Sequence, residues 1–530
     1  YERLIDRLLA SPHYGERWGR HWLDVAGYAD SEGYTNDDPV RKEAYKYRDY
    51  VIRSFNADKP FDQFIQEQLA GDEMVAPVVV TNGYKNLPPE AIEKLVATGF
   101  LRMAPDGTGS GGVDQKVARY QVVADTIKIV TSSLMGMTVA CAQCHNHRYD
   151  PIPQTDYYRL RAIFEPALDW KNWRPPQARL VSLYTDADRA KAAEIEAEAA
   201  KADAERLKKQ QEYIDQTFEK EVAKLAENLR DAARAARGAA ADKRTDEQKQ
   251  LLKDHPSLNV SAGSLYLYDQ KAADDLKRMA DEAAKVRATK PVEEFVRALT
   301  EVPGQVPATH LFYRGDHDQP KQAVSPGDLA ILAPVCVGEV PEKDPSLSTT
   351  GRRLAFAKKL TNGTHPLVAR VIVNRVWMHH FGRGIVATPG DFGFLGDPPS
   401  HPELLDWIAS DFMNPSHTPP YEGGKGAWRI KRLHKLIMTS TAYRQVSRRD
   451  PAKETIDPDN RLLWRMPVQR LEAEVLRDAV LAVSGRLHVR MFGPPVPIKE
   501  DEVGQVVVGI DTTDSAGRPT GKEVSIGAEE

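Results

Sequence analysis

The amino-acid sequence predicts a mainly α-helical fold, and three observations predict it. Apolar residues recur three and four positions apart through most segments that carry them, which is the spacing of a buried helix face. Text that reads as strand, rich in Pro, Gly and Val, is confined to about residues 303–350. A chain of 530 residues also exceeds what one core of ordinary size accommodates, so several domains are expected. The expected order is a helical domain over 1–170, a linker with a charged helical hairpin arm over 171–302, and a short β-containing linker over 303–350. A second helical domain over 351–500, packed back on the first, and an extended tail over 501–530 complete it.

The first helix pattern begins at once, with Leu4, Ile5, Leu8 and Leu9 on one face. Pro12 and Gly15 break it before GERWGRHWLDVAGY. Because the first residue is Tyr1 rather than Met, the sequence reads as lacking an upstream part, and a missing export signal says little about compartment. Residues 106–112, DGTGSGG, cannot pack and predict an exposed loop, followed by a helical run from about Asp114 towards Met137.

From Asp186 to Arg234 the composition shifts to Ala, Lys, Glu and Asp. Ile195, Leu207, Tyr213, Ile214, Phe218, Val222 and Leu225 recur there at helical spacing, which predicts one long helix. A break around 238–254 and a second charged helix from about Asp269 to Leu299 predict an antiparallel pair, since each apolar stripe is too narrow to stand alone. The arm reads either as a solvated spacer or as a surface for docking or self-association. HLFYRG and LAILAPVCV fit a few strands. Helical spacing returns in RRLAFAKKL, PLVARVIVNRVWMHHF, HPELLDWIASDFM and RLEAEVLRDAVLAVSG. The last forty residues are poor in large apolar side chains and read as extended or partly disordered.

Basic and acidic residues number 72 and 76, a net charge of -4, so no chain-wide field gathers nucleic acid or anionic lipid. Apolar runs are short and broken by charges, with none approaching the length of a membrane span. No GxSxG, HExxH, P-loop or dinucleotide fingerprint supports a hydrolase or nucleotide-binding reading.

The chemistry concentrates in VACAQCHNHRYDP, where Cys141, Cys144 and His145 stand in the CxxCH order of c-type haem attachment. Two thiols three positions apart can reach the two vinyl-derived carbons of one porphyrin, and the adjoining imidazole then serves as proximal iron ligand. A redox CxxC of the thioredoxin kind would end a strand in a βαβ unit, whereas this one follows a predicted helix. Zinc is the stronger rival, with Cys141, Cys144, His145 and His147 all competent ligands. Four ligands within seven residues can hardly close a tetrahedron, however, and Cys336 alone cannot complete a second half-site. Cys336, in APVCVGEV, reads as a small buried hydrophobe.

The distal iron position is open. His147 lies too close in sequence to pass round the porphyrin, because two residues extend only about 7 Å; it reads as an imidazole hydrogen-bonded in the loop or to a propionate. His21, between Trp18 and Trp22, is the first-ranked distal ligand, with a core histidine bonded to Asp24 as its plainer reading. His13, Met103, His379 and His380 follow. Arg17, Arg20 and Arg148 are candidates to neutralise haem propionates, or else form ordinary surface ion pairs.

GERWGRHWLDVAGYADSEGY, YRDYVIRSFNADKPFDQFIQEQLAGDE, ATGFLR and MTVACAQCHNHRYDPIPQTDYYRL together resemble the secreted planctomycete-type cytochrome c domain. HPLVARVIVNRVWMHHFGRGIVATPGDFGFLGDPPSHPELLDWIASDF, RIKRLHKLIMTSTAYRQVS and NRLLWRMPVQRLEAEVLRDAVLAVSGRL resemble its C-terminal companion domain of unknown function. The resemblance implies an exported protein, often with a further cytochrome module ahead of it. It places the haem motif on Cys141, Cys144 and His145, and His13 and His21 within a shared segment. Gly27 stands where that pattern often has Arg. The expected function is that of a periplasmic or extracellular mono-haem cytochrome exchanging electrons with an unidentified redox partner. A haem enzyme, peroxidase-like or glycan-oxidising with an open distal face, and a structural assembly protein are the alternatives.

Overall fold

The computed structural model describes residues 1–34, 38–414, 427–496, 498–500, 506–508, 510–513 and 519–524. The fold is mainly α-helical, with short antiparallel strand pairs as its only sheet among the described residues. It divides into two units, one of Tyr1–Ser182 with Phe295–Glu530 and one of Leu183–Glu294.

The first unit begins with α1 (Glu2–Leu9), of whose four predicted face residues Ile5 and Leu9 are buried while Leu4 and Leu8 stay half exposed. Next come α2 (Tyr14–Ala26), α3 (Ala44–Asn56), α4 (Phe61–Met74), α5 (Ala76–Asn82) and α6 (Pro89–Ala97). Trp22, Tyr47, Tyr50, Phe61, Phe64 and Phe100 form their aromatic core. Its polar atoms are paired, as burial demands: Trp22 Nε1 and Tyr47 Oη both donate to Gln68 Oε1, at 2.8 and 2.6 Å. Two further helices, α7 (Gln115–Val130) and α8 (Gln154–Phe164), flank the cysteine motif.

In the other unit, α9 (Asp186–Ala223) starts at a capping box in which Thr185 and Asp188 satisfy each other's backbone N–H groups. It stops eleven residues short of Arg234, where the periodicity predicts its end. Arg230 donates to the carbonyls of Ala223 and Leu225, so a side chain satisfies orphan carbonyls and the chain turns into α10 (Glu227–Gly238). After α11 (Asp246–Asp254), α12 (Gln270–Arg287) runs antiparallel to α9. Lys220 bonds Asp269, Tyr213 bonds Asp275, and Glu196 bonds Arg287, so one residue number rises as the other falls. Ile214, Phe218, Val222, Leu252, Leu258 and Leu265 give this unit a small core of its own. The charge-rich α12 ends at Arg287 rather than continuing to Leu299. Pro291 cannot supply a helical N–H, and Phe295–Arg297 instead pairs with Leu180–Ser182.

Back in the first unit, His310–Phe312 and Pro320–Ala323 pair as a short hairpin, so the 303–350 stretch does hold strands. The helices α13 (Arg352–Thr361), α14 (Val368–Phe381), α15 (Pro402–Met413), α16 (Ile430–Thr439), α17 (Pro451–Ile456) and α18 (Ala473–Val483) follow. Within this unit α13 lies on α4 around one buried cation. Arg353 is fully buried and donates to both Asp72 carboxylate oxygens at 2.7 and 2.8 Å, with Glu73 and Glu301 at 3.3 and 3.4 Å. Short antiparallel strand pairs also occur within 498–524, and the remainder of the predicted tail lies outside the described residues.

Candidate functional site

The cysteine loop is set by two levels of structure. Asp114 caps α7 by accepting from the N–H groups of Lys116 and Val117, and the helix runs through a π turn at Thr131–Met135 to Gly136. The chain then makes a 3₁₀ turn, Val139–Gln143, in which positions i and i+3 eclipse. Val139 and Ala142 therefore face inward and are fully buried, while Cys141 and, just past the turn, Cys144 are exposed. The same three-residue step that sequence logic requires for two thioethers thus separates two exposed cysteines.

Neighbouring groups hold the loop. Gln154 Nε2 donates to the carbonyls of Gln143 and Phe312 at 2.9 and 3.0 Å, and Tyr158 Oη donates to Gln143 O at 3.0 Å. The exposed His145 ring has Nδ1 2.6 Å from the carbonyl oxygen of Asn146. Only a protonated Nδ1 can donate there, so the neutral ring keeps its lone pair on Nε2. His147 is arranged the opposite way. Its Nδ1 accepts from the N–H of Asp150 at 2.9 Å, which leaves the proton on Nε2, 3.1 Å from Thr138 Oγ1. With its side chain buried, His147 is the loop imidazole, tied further through Asp150, whose Oδ1 accepts from the N–H of Phe394 at 2.6 Å.

The other sequence candidates lie elsewhere among the contacts. Arg17 and Arg20 both bond Glu472, the first through two donors at 2.5 and 3.0 Å. Arg148 is exposed with its guanidinium 5.5 Å from the Tyr149 ring. Met103 is buried, its carbonyl accepting from Arg41. His21 stacks on His379 with ring centroids 3.6 Å apart and stands edge-on to Trp18; these ring contacts do not reach the cysteine loop.

Instead, His21, His379 and His380 converge on Trp18 together with His434, which sequence reasoning does not single out. His434 shares the inward face of α16 with Ile430, Leu433 and Ile437, a helical spacing that could have found it. His380 Nε2 and His434 Nδ1 are 2.8 Å apart, and a pocket of about 540 Å³ beside them is also lined by His13, Tyr14, Tyr443 and Met438. Burial lowers His21 to about 3 and His379 and His380 to about 4, and it holds His434 well below the usual imidazole range. All four rings are neutral at pH 7. His21 and His379 stack while His380 and His434 meet edge to face, and the four do not form a ligand sphere: among the described residues, only Asp328, Cys336 and His365 bring three ligand atoms to metal-binding spacing.

Fold and site together define a class: a mainly helical two-part chain carrying an exposed CxxCH turn. Residues 1–168 match the family described as Protein of unknown function (DUF1549), and residues 352–523 match Protein of unknown function (DUF1553), so the chain carries the planctomycete-type paired domains. No curated protein and no solved structure matches the chain. Among the described residues no helix is long and apolar enough to cross a membrane.

Proposed function

We propose that the chain is a mono-haem c-type cytochrome that works in electron transfer outside the cytoplasm, with haem c joined to Cys141 and Cys144 and His145 as proximal ligand. The observation that carries this reading is a pair of exposed cysteines, one in a 3₁₀ turn and one just past it, followed by an imidazole whose Nε2 lone pair is free. When bound, such a haem supplies one-electron exchange at a potential set by its ligands and burial.

The chain's own residues do the rest. Cys141 and Cys144 hold two edges of the group, and Asn146 fixes the tautomer and orientation of His145 through its carbonyl oxygen. Gln154 and Tyr158 keep the turn in place through Gln143. Arg148, three residues past His145, is the arginine offered to a propionate, while the Arg17 guanidinium is engaged by Glu472. Exposure of both thiols favours electron exchange with a partner at the surface over catalysis in an enclosed pocket.

A reduced pyridine haemochrome spectrum with intact mass, on protein made with an export signal, tests the reading. One haem c per chain is expected, and a low-spin ferric spectrum insensitive to cyanide would favour the electron carrier. A high-spin ferric species that takes up cyanide would turn the reading to a haem enzyme. Colourless material, or pigment wholly released by acid acetone, would overturn covalent attachment.

A further inference from the structure

A third cluster of chemistry-bearing side chains lies apart from the cysteine turn and the histidine group. It is assembled from three places in the chain. Asp328 follows Gly327, Cys336 ends the turn after Ala330–Leu332, and His365 lies in the loop between α13 and α14. All three are buried, at 4, 3 and 2 % exposure, and their ligand atoms lie within 4.8 Å of one another.

The bonds these residues already make leave a ligand-competent atom of each without a close hydrogen bond. Asp328 Oδ1 accepts from the N–H of Leu329 at 2.7 Å, but Oδ2 is buried with no hydrogen bond among the described residues and only a long 3.7 Å approach from Lys359 Nζ. His365 Nδ1 accepts from the N–H groups of Leu367 and Val368 at 3.2 and 3.4 Å, while Nε2 is buried and has no hydrogen-bond partner among the described residues. Cys336 Sγ makes a weak 4.0 Å contact with the Lys359 carbonyl oxygen and is also approached by the Thr364 side chain. Two orphaned polar atoms beside a thiol are costly in an apolar interior unless something pairs with them.

We propose that Asp328, Cys336 and His365 form a buried site for a divalent cation of the zinc class. Thiolate, imidazole and carboxylate are the donor set that four-coordinate zinc takes. The Lys359 carbonyl is placed to complete it. It belongs to the last turn of α13, where carbonyls have no intrahelical partner and the helix dipole favours positive charge. Binding forms a metal–sulfur bond as the Cys336 thiol releases its proton to solvent. The metal–nitrogen bond forms at His365 Nε2, whose proton moves to Nδ1 at the expense of the two long bonds from Leu367 and Val368. The Asp328 carboxylate exchanges its distant ammonium for the ion. No electron is transferred.

The test uses the full chain. Native mass spectrometry and elemental analysis should find one zinc per chain, counted separately from haem iron. Cobalt(II) loaded into a Cys141→Ala/Cys144→Ala background should give the thiolate charge-transfer band and tetrahedral d–d bands. Cys336→Ser should abolish that charge-transfer band, and Asp328→Asn, which keeps the acceptor for Leu329, should weaken cobalt binding at least tenfold. Should Cys336→Ser fail to fold, histidine nitrogen NMR of the wild-type chain decides: zinc must shift the His365 proton from Nε2 to Nδ1. A chain that retains neither zinc nor cobalt, a charge-transfer band that survives in folded Cys336→Ser, or an unmoved tautomer would overturn the site.

Discussion

Gly315 stands against Cys144 so closely that a β-carbon at position 315 would lie 2.8 Å from Cys144 Sγ. Its backbone is left-handed as well, at φ +77°, which a side chain disfavours by roughly 1–2 kcal/mol. The hairpin that carries His310–Phe312 therefore approaches the Cys144 sulfur at a position that disfavours any side chain for two separate reasons.

Gly315→Ala is expected to destabilise the chain more than Gly304→Ala. Gly304 has a similar φ of +79°, but a β-carbon added there would meet nothing within 4 Å. The strain is common to both variants and the sulfur contact is not. Melting temperatures compare the two, and intact mass should show reduced attachment only in the Gly315 variant.

His147→Ala removes the acceptor for the Asp150 N–H and the partner of Thr138. An unsatisfied buried donor costs about 1–3 kcal/mol, and denaturant unfolding should show a loss of that order. With the proposed haem attached, the ferric spectrum should keep its spin state, because both ring nitrogens of His147 are engaged within the loop. A change of spin state would contradict that role.

Cys144→Ala should leave at most one thioether, with a shifted absorption band in the pyridine haemochrome and an unchanged helical circular dichroism spectrum. An unaltered band would show that Cys144 does not hold the group.

Arg353→Met keeps much of the volume but leaves Asp72, Glu73 and Glu301 without their shared cation. Breaking a buried pair from one side costs about 3–5 kcal/mol, and equilibrium unfolding should report it. Burial already pushes the Glu73 carboxyl well above its usual range with Arg353 present. Part of the loss should therefore be recovered on acidification, as the abandoned carboxyls protonate.

The histidine stack makes stability depend on pH in a determined direction. Burial holds His21 at about 3 and His379 and His380 at about 4, below the value near 6.5 that they have when unfolded. Between these values the unfolded chain binds more protons than the folded one, so stability rises with pH. The contribution is complete above about 6.5 and is lost as pH falls towards 4 and then 3. Melting temperatures from pH 7 to 4 should decline, and His380→Asn should flatten the decline. A slope unchanged by that substitution would locate the pH dependence elsewhere.

Local spacing carries far in this molecule. Apolar residues three and four apart specify helices because a helix face is a local property, and the chain is mainly helical as that spacing predicts. Cys141, Cys144 and His145 are equally legible, since their relation is contained in five consecutive residues. Helix ends are less so. α9 stops where the Arg230 side chain reaches Ala223 and Leu225, and α12 stops before a strand whose partner, Leu180–Ser182, lies far upstream.

What tertiary structure alone decided is which distant side chains meet. The sequence offers His21 either as a distal iron ligand or as a core histidine bonded to Asp24; the ring stacks on His379, and His434 joins them from a helix near the other end of the chain. Asp328, Cys336 and His365 carry no spacing that announces a common site, and Cys336 by itself reads as a small apolar residue. Such sets arise because helices bury their apolar faces against one another, and that packing brings together whatever polar groups those faces and their loops contain. Periodicity records how a segment folds on itself, whereas the partners of a buried imidazole or thiol depend on how separate segments pack.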